Sequence, residues 1–353
     1  MVTMKDVAKA AGVSQASVSY AYSGSPRVSA PQRDQIFAVA AKLGYTGPNI
    51  AGSSLRLGRI GTVGVLVPGS LALAVEDPST MLLMKGIVEV GELADVALVL
   101  LPVDGAELAA GRQPTKPAVL RGLVDGVVLH CLPNDHPVVD AVVTRRIPAV
   151  AIDSPRLPNL PYVTIAHRAA GVTQMDHVLQ LGHNRIGIIS DRLGPGVAAG
   201  FRELSAIASA TETYIRERLT GYMQACGAAG VPDAGIALVE AAGIDMTSGM
   251  AAAGRLLDEF APTAIVATSD VHAVAALKVL VQRGISVPGR VSVIGFDDAP
   301  LADLMGLTTV HQPLEDKGRT AATILLDLIA GRSRRRSVKQ THLIVRSTTG
   351  RAP

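Results

Sequence analysis

Two rhythms of apolar residues divide the chain near residue 60. Ahead of that point, apolar positions recur at helical spacing. Val7, Ala8 and Ala11 line one face of a short first helix, opened by Thr3 with Asp6 three residues on as a capping box. Gly12 supplies the positive φ of a tight turn and Val13 plugs that turn from inside. Ser14 then caps a second helix running from Gln15 to about Ser23. A third begins at Ser29, with Gln32 completing a capping box and Pro31 in the first turn. Its Ile36, Val39, Ala40 and Leu43 recur at i, i+3, i+4 and i+7, and Gly44 ends it. Helix, tight turn, helix is either a generic hairpin or the unit that lays its second helix in the DNA major groove. Residues 48–56 read either as a plain linker or as two turns of helix that fold on binding.

From Ile60 the rhythm becomes one of short continuous apolar runs alternating with helical stretches. Residues 62–68, 97–101, 126–130, 148–153 and 162–165 read as buried strands, with a helix over 81–93. After a helix at 169–181 a second series follows, with strands at 185–189, 236–239, 264–267 and 291–295. Helices near 213–229, 247–260 and 271–284 lie between them. Two runs of βαβ units in series predict an α/β body of two doubly wound lobes with a cleft between. Ligands in such folds sit outside the carboxyl ends of the strands, so the residues just after strands matter most.

Composition narrows this picture. With 48% hydrophobic and 18% charged residues the chain is globular, and without tryptophan its core must be built from Val, Leu, Ile and Ala. No apolar run approaches the roughly 20 residues of a membrane span, and the N-terminus lacks a signal-peptide core. Cys131 and Cys226 suggest no disulfide framework, which fits a reducing cytoplasm. Charge is unevenly spread. Residues 1–59 carry seven bases and two acids, a net of +5, which leaves the remainder at −2 against the chain's total of +3. A basic head on a mildly acidic body points to a polyanion partner for the head only. No strand runs into Gly-x-Gly-x-x-Gly or a Walker-type loop, and no Gly-x-Ser-x-Gly occurs. A nucleotide-using enzyme is therefore disfavoured and no cofactor is expected. A transport-type solute receptor would need an export signal in place of the basic head.

Specific motifs add a family resemblance. Met4–Ala8, Ala11–Ser14 and Val18-Ser19 in the head are joined by Val28-Ser29, Leu43–Tyr45 and the stretch from Pro48-Asn49 to Leu55-Arg56. In the body the matching pieces are Leu123–Gly126, His177–His183, Arg216–Tyr222, Ser292–Asp298 and Leu307–Leu314. In these the chain resembles LacI/GalR-family transcription regulators over essentially its full length. The resemblance implies a helix-turn-helix DNA-binding domain at 1–46, a hinge helix or linker at 47–59, and a periplasmic-binding-protein-like core at 60–353. The core would hold one lobe of about 60–163 with 312–340 and another of about 164–311 with 341–353. It also implies a cytoplasmic repressor acting as a homodimer on a palindromic double-stranded operator, with a small-molecule effector, such as a sugar or related metabolite, in the cleft. Tetramerisation heptads are not visible after Leu343, so a dimer is expected.

Site residues carry over position by position. Gln15, Ala16 and Tyr20 fall at base-reading positions; Gln suits adenine and Ala a thymine methyl, while Tyr20 replaces a commoner Arg or His. Ser14, Ser17, Ser19 and Ser29 suit phosphates. In the hinge, Asn49 and Ser53 belong to the minor-groove segment, and Leu55 is the wedge expected to kink the duplex. Ser53 stands where many members have Arg, and Tyr45–Pro48 is one residue longer than usual. For the effector the resemblance implies Asp153, Arg218, Asp270 and Gln312, with Ile244 where an aromatic often stacks; each acid also reads as a helix N-terminal charge. His130, His136, His167, His177 and His183 lack metal-ligand spacing and read as surface or strand-end groups. The basic run of Arg332, Arg334, Arg335, Arg336 and Lys339 reads as a solvated connection, and 194–210 as a loop.

Overall fold

The computed structural model describes residues 2–47, 60–90, 96–103, 123–194, 198–332 and 335–353. Two compact units result, Met1–Gly61 and Thr62–Pro353. The first holds helices α1 (Met4–Ala11), α2 (Gln15–Tyr22) and α3 (Ala30–Leu43). Thr3 and Asp6 form the reciprocal capping box, and Gly12 closes α1 in the left-handed conformation at φ 66°. Val7, Val18, Ile36 and Ala40 are sealed between the three helices. Two expectations fail here. Ser29 occupies the cap of α3 without a side-chain bond, so Pro31 alone marks that start. Leu43 is 38% exposed and lies outside the sealed face of α3.

The second unit is built on two sheets. The six-stranded sheet, all parallel, is ordered β12-β5-β4-β3-β1-β2. Its strands are β1 (Thr62–Pro68), β2 (Ala97–Val103), β3 (Gly126–His130), β4 (Ala149–Ile152), β5 (Tyr162–Ile165) and β12 (Arg336–Lys339). The seven-stranded sheet is ordered β13-β11-β10-β9-β6-β8-β7. It contains β6 (Ile186–Ser190), β7 (Gly200–Arg202), β8 (Ile236–Glu240), β9 (Ala264–Ala267), β10 (Ser292–Asp297), β11 (Thr308–His311) and β13 (His342–Ile344), with the two edge strands antiparallel. Alternate strand residues feed opposite layers. Val63, Val65 and Val128 face one layer while Leu66, Val127 and Leu129 face the other. Ile186 and Ile188 are divided from Ile189 in the same way. Topology thus makes the chain cross between sheets after β5, after β11 and between β12 and β13.

Helices cover both faces. They are α4 (Leu71–Glu76), α5 (Pro78–Val88), α6 (Pro137–Thr144), α7 (His167–Gln180), α8 (Thr213–Ala228), α9 (Met246–Glu259), α10 (Asp270–Gln282), α11 (Pro300–Leu304) and α12 (Leu314–Ile329). The helix expected at 81–93 instead starts at Pro78, since Asp77 accepts from the backbone of Ser79 and Thr80 and caps it. The stretch read as a loop at 194–210 contains β7 and a 3₁₀ turn, Leu204–Ser209. The described arginines of the basic run are exposed, as a solvated connection requires, and two of them are also paired. Arg336 and Lys339 lie in β12, Arg332 and Arg335 pair with Asp327, and Lys339 with Asp316 at 2.7 Å. Arg334 lies outside the described residues.

Candidate functional site

In the head, α2 turns Val18 and Ala21 inward and leaves Gln15 and Ala16 exposed at its start. The Ser14 hydroxyl accepts from the Ser17 backbone at 3.0 Å and lies 2.9 Å from the Ser17 hydroxyl, so these two serines cap the helix as well as facing outward. Ser19 is half-buried and Ser29 exposed. Tyr20 is braced. Its hydroxyl accepts from Arg27 at 2.8 Å, and the guanidinium carbon lies 5.3 Å from the ring centroid, which places a cation beside α2. Asn49, Ser53 and Leu55 lie outside the described residues.

In the body the carboxyl ends of both sheets carry a concentration of buried polar groups. Asp153 follows β4 with φ 62°, and Asp297 and Asp298 end β10 with φ 120° and 58°, conformations that non-glycine residues adopt at a cost. Asp153 is 4% exposed and fully bonded. One carboxylate oxygen accepts from Thr164 Oγ1 at 3.0 Å and His167 Nε2 at 2.9 Å; the other accepts from Lys317 Nζ. Lys317, on α12, has no exposed surface, and it also donates to Gln312 Oε1 at 2.9 Å. Gln312 Nε2 in turn donates to Asp297. The result is an unbroken relay, His167–Asp153–Lys317–Gln312–Asp297, that runs from one sheet to the other through the crossover after β11.

Electrostatics follow from burial. Desolvation pushes the Asp153 carboxyl upward, but the Lys317 ammonium and His167 outweigh it and hold the group well below the usual carboxylate range. His167 is pushed down to about 4 by burial, against the pull of Asp153. It is therefore a neutral ring that donates from Nε2 to Asp153 and accepts at Nδ1 from Arg218 Nη2, 3.4 Å away. Arg218, on α8, is 3% exposed, stacks with its guanidinium carbon 3.4 Å from the Phe296 ring centroid, and donates through Nη1 to the Thr268 carbonyl. Burial and the neighbouring Asp270 raise Asp297 well above its ordinary value.

The structure brings Asp153, Arg218 and Gln312 together. Asp270 lies beside Asp297 but is bonded to the scaffold: its oxygens accept from Thr309 Oγ1 at 2.6 Å and the Ala299 backbone at 2.8 Å, and burial raises its carboxyl to about 7. Ile244 is half-buried in the turn before α9. Three participants escaped the sequence reading. His167 reads from the sequence as a surface or strand-end group, yet it is buried, as are His136, His183 and His130, the last of which does end β3. Asp297 stood inside a recognised motif without an assigned role. Lys317 had one legible signal, a cation on the apolar face formed by Leu314, Ala321 and Leu325. Beside the relay a cavity of about 780 Å³ opens, lined by Asp153, Arg156, His167, Thr213, Tyr214 and Glu217. Besides Arg33 Nε and His136 Nε2, the side-chain atoms buried without a hydrogen-bond partner among the described residues are His130 Nδ1, Ser154 Oγ, Ser190 Oγ, Asp191 Oδ1, Arg218 Nε and His272 Nδ1. Of these six, all but Arg218 lie at, or within a few residues of, strand carboxyl ends. Such atoms suit a polar small molecule. No group of His, Cys, Asp and Glu among the described residues has the arrangement of a metal site.

Comparison with known proteins agrees with this division. Residues 3–49 match the model for bacterial regulatory proteins of the lacI family, and residues 175–349 match a periplasmic binding protein-like domain. The HTH-type transcriptional regulator Rv3575c of Mycobacterium tuberculosis is 35% identical over 327 residues, 92% of this chain and 90% of that protein. The structure of a transcriptional regulator CelR–cellobiose complex superposes with TM-score 0.66 at 28% identity, covering 99% of this chain and 100% of that one. A lac repressor dimer bound to operator and the anti-inducer ONPF shares the fold at TM-score 0.77 and 24% identity, covering 99% of each chain.

Proposed function

Since the chain belongs to the LacI family of bacterial regulatory proteins, we propose that it represses transcription as a homodimer on a palindromic operator, under control of a small polar effector. The observation that carries this is the joining, in one chain, of a net +5 helix-turn-helix head to a body whose two sheets meet at a buried polar relay. Gln15 and Ala16 read base edges, Ser14, Ser17, Ser19 and Ser29 sit against phosphates, and Leu55 wedges the minor groove. The effector occupies the space between Arg218, Asp297 and Asp153. Cellobiose in the CelR structure supports a polyhydroxylated ligand of sugar size. Where such a ligand bonds Asp297 or Gln312, it redistributes hydrogen bonds in a chain of groups that already spans both sheets. It thereby favours one angle between the lobes over another, and a coupling of about 1–3 kcal/mol is enough to change operator occupancy several-fold. With DNA as partner, the site of action is the cytoplasm; among the described residues no helix is long and apolar enough to cross a membrane.

Two measurements test the reading. Operator affinity by fluorescence anisotropy, with and without ligand, should lose its ligand response in Arg218→Ala while ligand-free operator binding persists. An Arg218→Ala protein that still responds takes Arg218 out of the effector site. Gln15→Ala should relax preference at one operator position by about 1–3 kcal/mol in a binding-site selection; an unchanged selection profile removes Gln15 from base reading.

A further inference from the structure

Gln15 and Ala16 leave the chemistry of α2 incomplete, and one contact in the head carries it further. Val18 and Ala21 are the buried residues of this helix. At 3.6 residues per turn, the direction opposite those two falls on Ala16, with Ser19 and Tyr20 to either side of it. Tyr20 therefore shares the outward side of α2 with Ala16. The helix carries no charged residue. A guanine offers two acceptors, O6 and N7, in the major groove and is met by a cation with several N–H groups. A tyrosine hydroxyl has one hydrogen to give and cannot serve both.

Arg27 supplies the missing group from the loop between α2 and α3. Its Nη1 donates to the Tyr20 hydroxyl at 2.8 Å, and its guanidinium carbon lies 5.3 Å from the Tyr20 ring centroid. The loop itself is tied down. The Ser25 backbone donates to the Tyr20 carbonyl at 3.0 Å, the Arg27 backbone donates to Ser25 Oγ at 3.3 Å, and Val28, the next residue, is sealed in the core of the head. Arg27 is exposed and forms no ion pair among the described residues, so its other N–H groups remain available. Arg33 differs, since it is half-buried and turned to the Ser25 carbonyl at 3.1 Å. Ordering a long side chain at an interface costs entropy, and a brace formed before binding offsets part of that cost.

We propose that Arg27 is a specificity-determining residue and Tyr20 its positioning residue. The Tyr20 hydroxyl and ring hold the Arg27 guanidinium on the outward side of α2, where its free N–H groups donate to O6 and N7 of one guanine in each operator half-site. Tyr20 thus acts on the sequence read without touching a base edge itself. The inference rests on α2 being the helix that reads bases.

The test is a binding-site selection from a randomised DNA library, run with the full chain and with Arg27→Ala, Tyr20→Phe and Gln15→Ala. Affinities for the selected operator and its single-base variants are then measured at several salt concentrations. Arg27→Ala should lose a guanine at one position of each half-site and bind the selected operator about 5–150-fold more weakly, with the other positions unchanged. Tyr20→Phe keeps the ring and removes the acceptor, and it should weaken the preference at that same position alone. A uniform loss across all sequences in Arg27→Ala, with the salt slope reduced by about 1, marks a phosphate contact and overturns base reading. An unchanged profile in Arg27→Ala overturns it as well. A lost guanine in Arg27→Ala beside an unaltered Tyr20→Phe overturns the positioning role. If Gln15→Ala also leaves the profile intact, α2 is not the reading helix and both readings fall; if Gln15→Ala changes its own position, only the Arg27 assignment fails.

Discussion

Lys317 shows how much a single buried side chain decides here. An ammonium without exposed surface is held by the Asp153 carboxylate and the Gln312 amide oxygen; removing Asp153 leaves an uncompensated charge, and removing Gln312 leaves a buried N–H without its acceptor. His167 is the relay member that titrates nearest neutral pH when unfolded, and its behaviour with pH can be worked out. Its folded value of about 4 lies below the ordinary 6.5, so on acidification the unfolded chain takes up a proton that the folded chain refuses. The stability contributed by the neutral ring is fully present above about pH 6.5 and is lost as pH falls through the window down to about 4. His167→Gln keeps a donor toward Asp153 but does not titrate. Urea midpoints at about pH 7 and pH 5 should therefore fall less in the variant than in the parent. An identical fall would mean that His167 does not titrate differently on folding.

At the scale of elements, the site depends on how closely α7 and α8 approach. A Cβ added at Gly221 would stand 2.2 Å from the Arg168 carbonyl oxygen, and one at Gly171 2.4 Å from that of Arg218. Both contacts are with backbone, so the helices themselves would have to part. Gly221→Ala should cost about 1–3 kcal/mol and weaken the ligand response, because α8 carries Arg218 and α7 begins at His167. Gly227→Ala in the same helix meets nothing within 4 Å and serves as the comparison, expected to be neutral or stabilising by about 0.4–1 kcal/mol. Equal thermal midpoints for the two variants would contradict the packing account. The resemblance marks Arg218 on α8, but that helix's packing against α7 is not legible in the sequence. Its sequence carries the period, while the distance to α7 is set by glycines that leave no mark in that period.

For the whole molecule, the exposed apolar residues bear on assembly. Scattered exposed leucines need no explanation, but Leu304 at 85% and Val281 at 76% stand on α11 and α10, which pack together. Val88 and Val75 are exposed on α5 and α4, which also pack together. These faces support the proposed homodimer. Joint substitution Val281→Arg with Leu304→Arg should shift sedimentation toward the monomer and weaken operator binding, since a single head engages one half-site. A dimer that withstands both changes moves the interface to another face.

The sequence alone determined what depends on near neighbours along the chain. Thr3 with Asp6, Gly12 and Ser14 set the ends of the first two helices, because caps and turns close over three or four residues. The alternation of apolar runs and helical stretches after Ile60 set the two doubly wound sheets, because strand and helix periods are local. Tertiary structure decided what those elements bring together. Asp153 meets Lys317 across 164 residues and His167 across 14, and Asp191 meets His272 across the reversal of strand order. No local spacing encodes such pairs. A lysine reads as solvated until three walls close around it, and a histidine reads as ordinary until burial removes its proton.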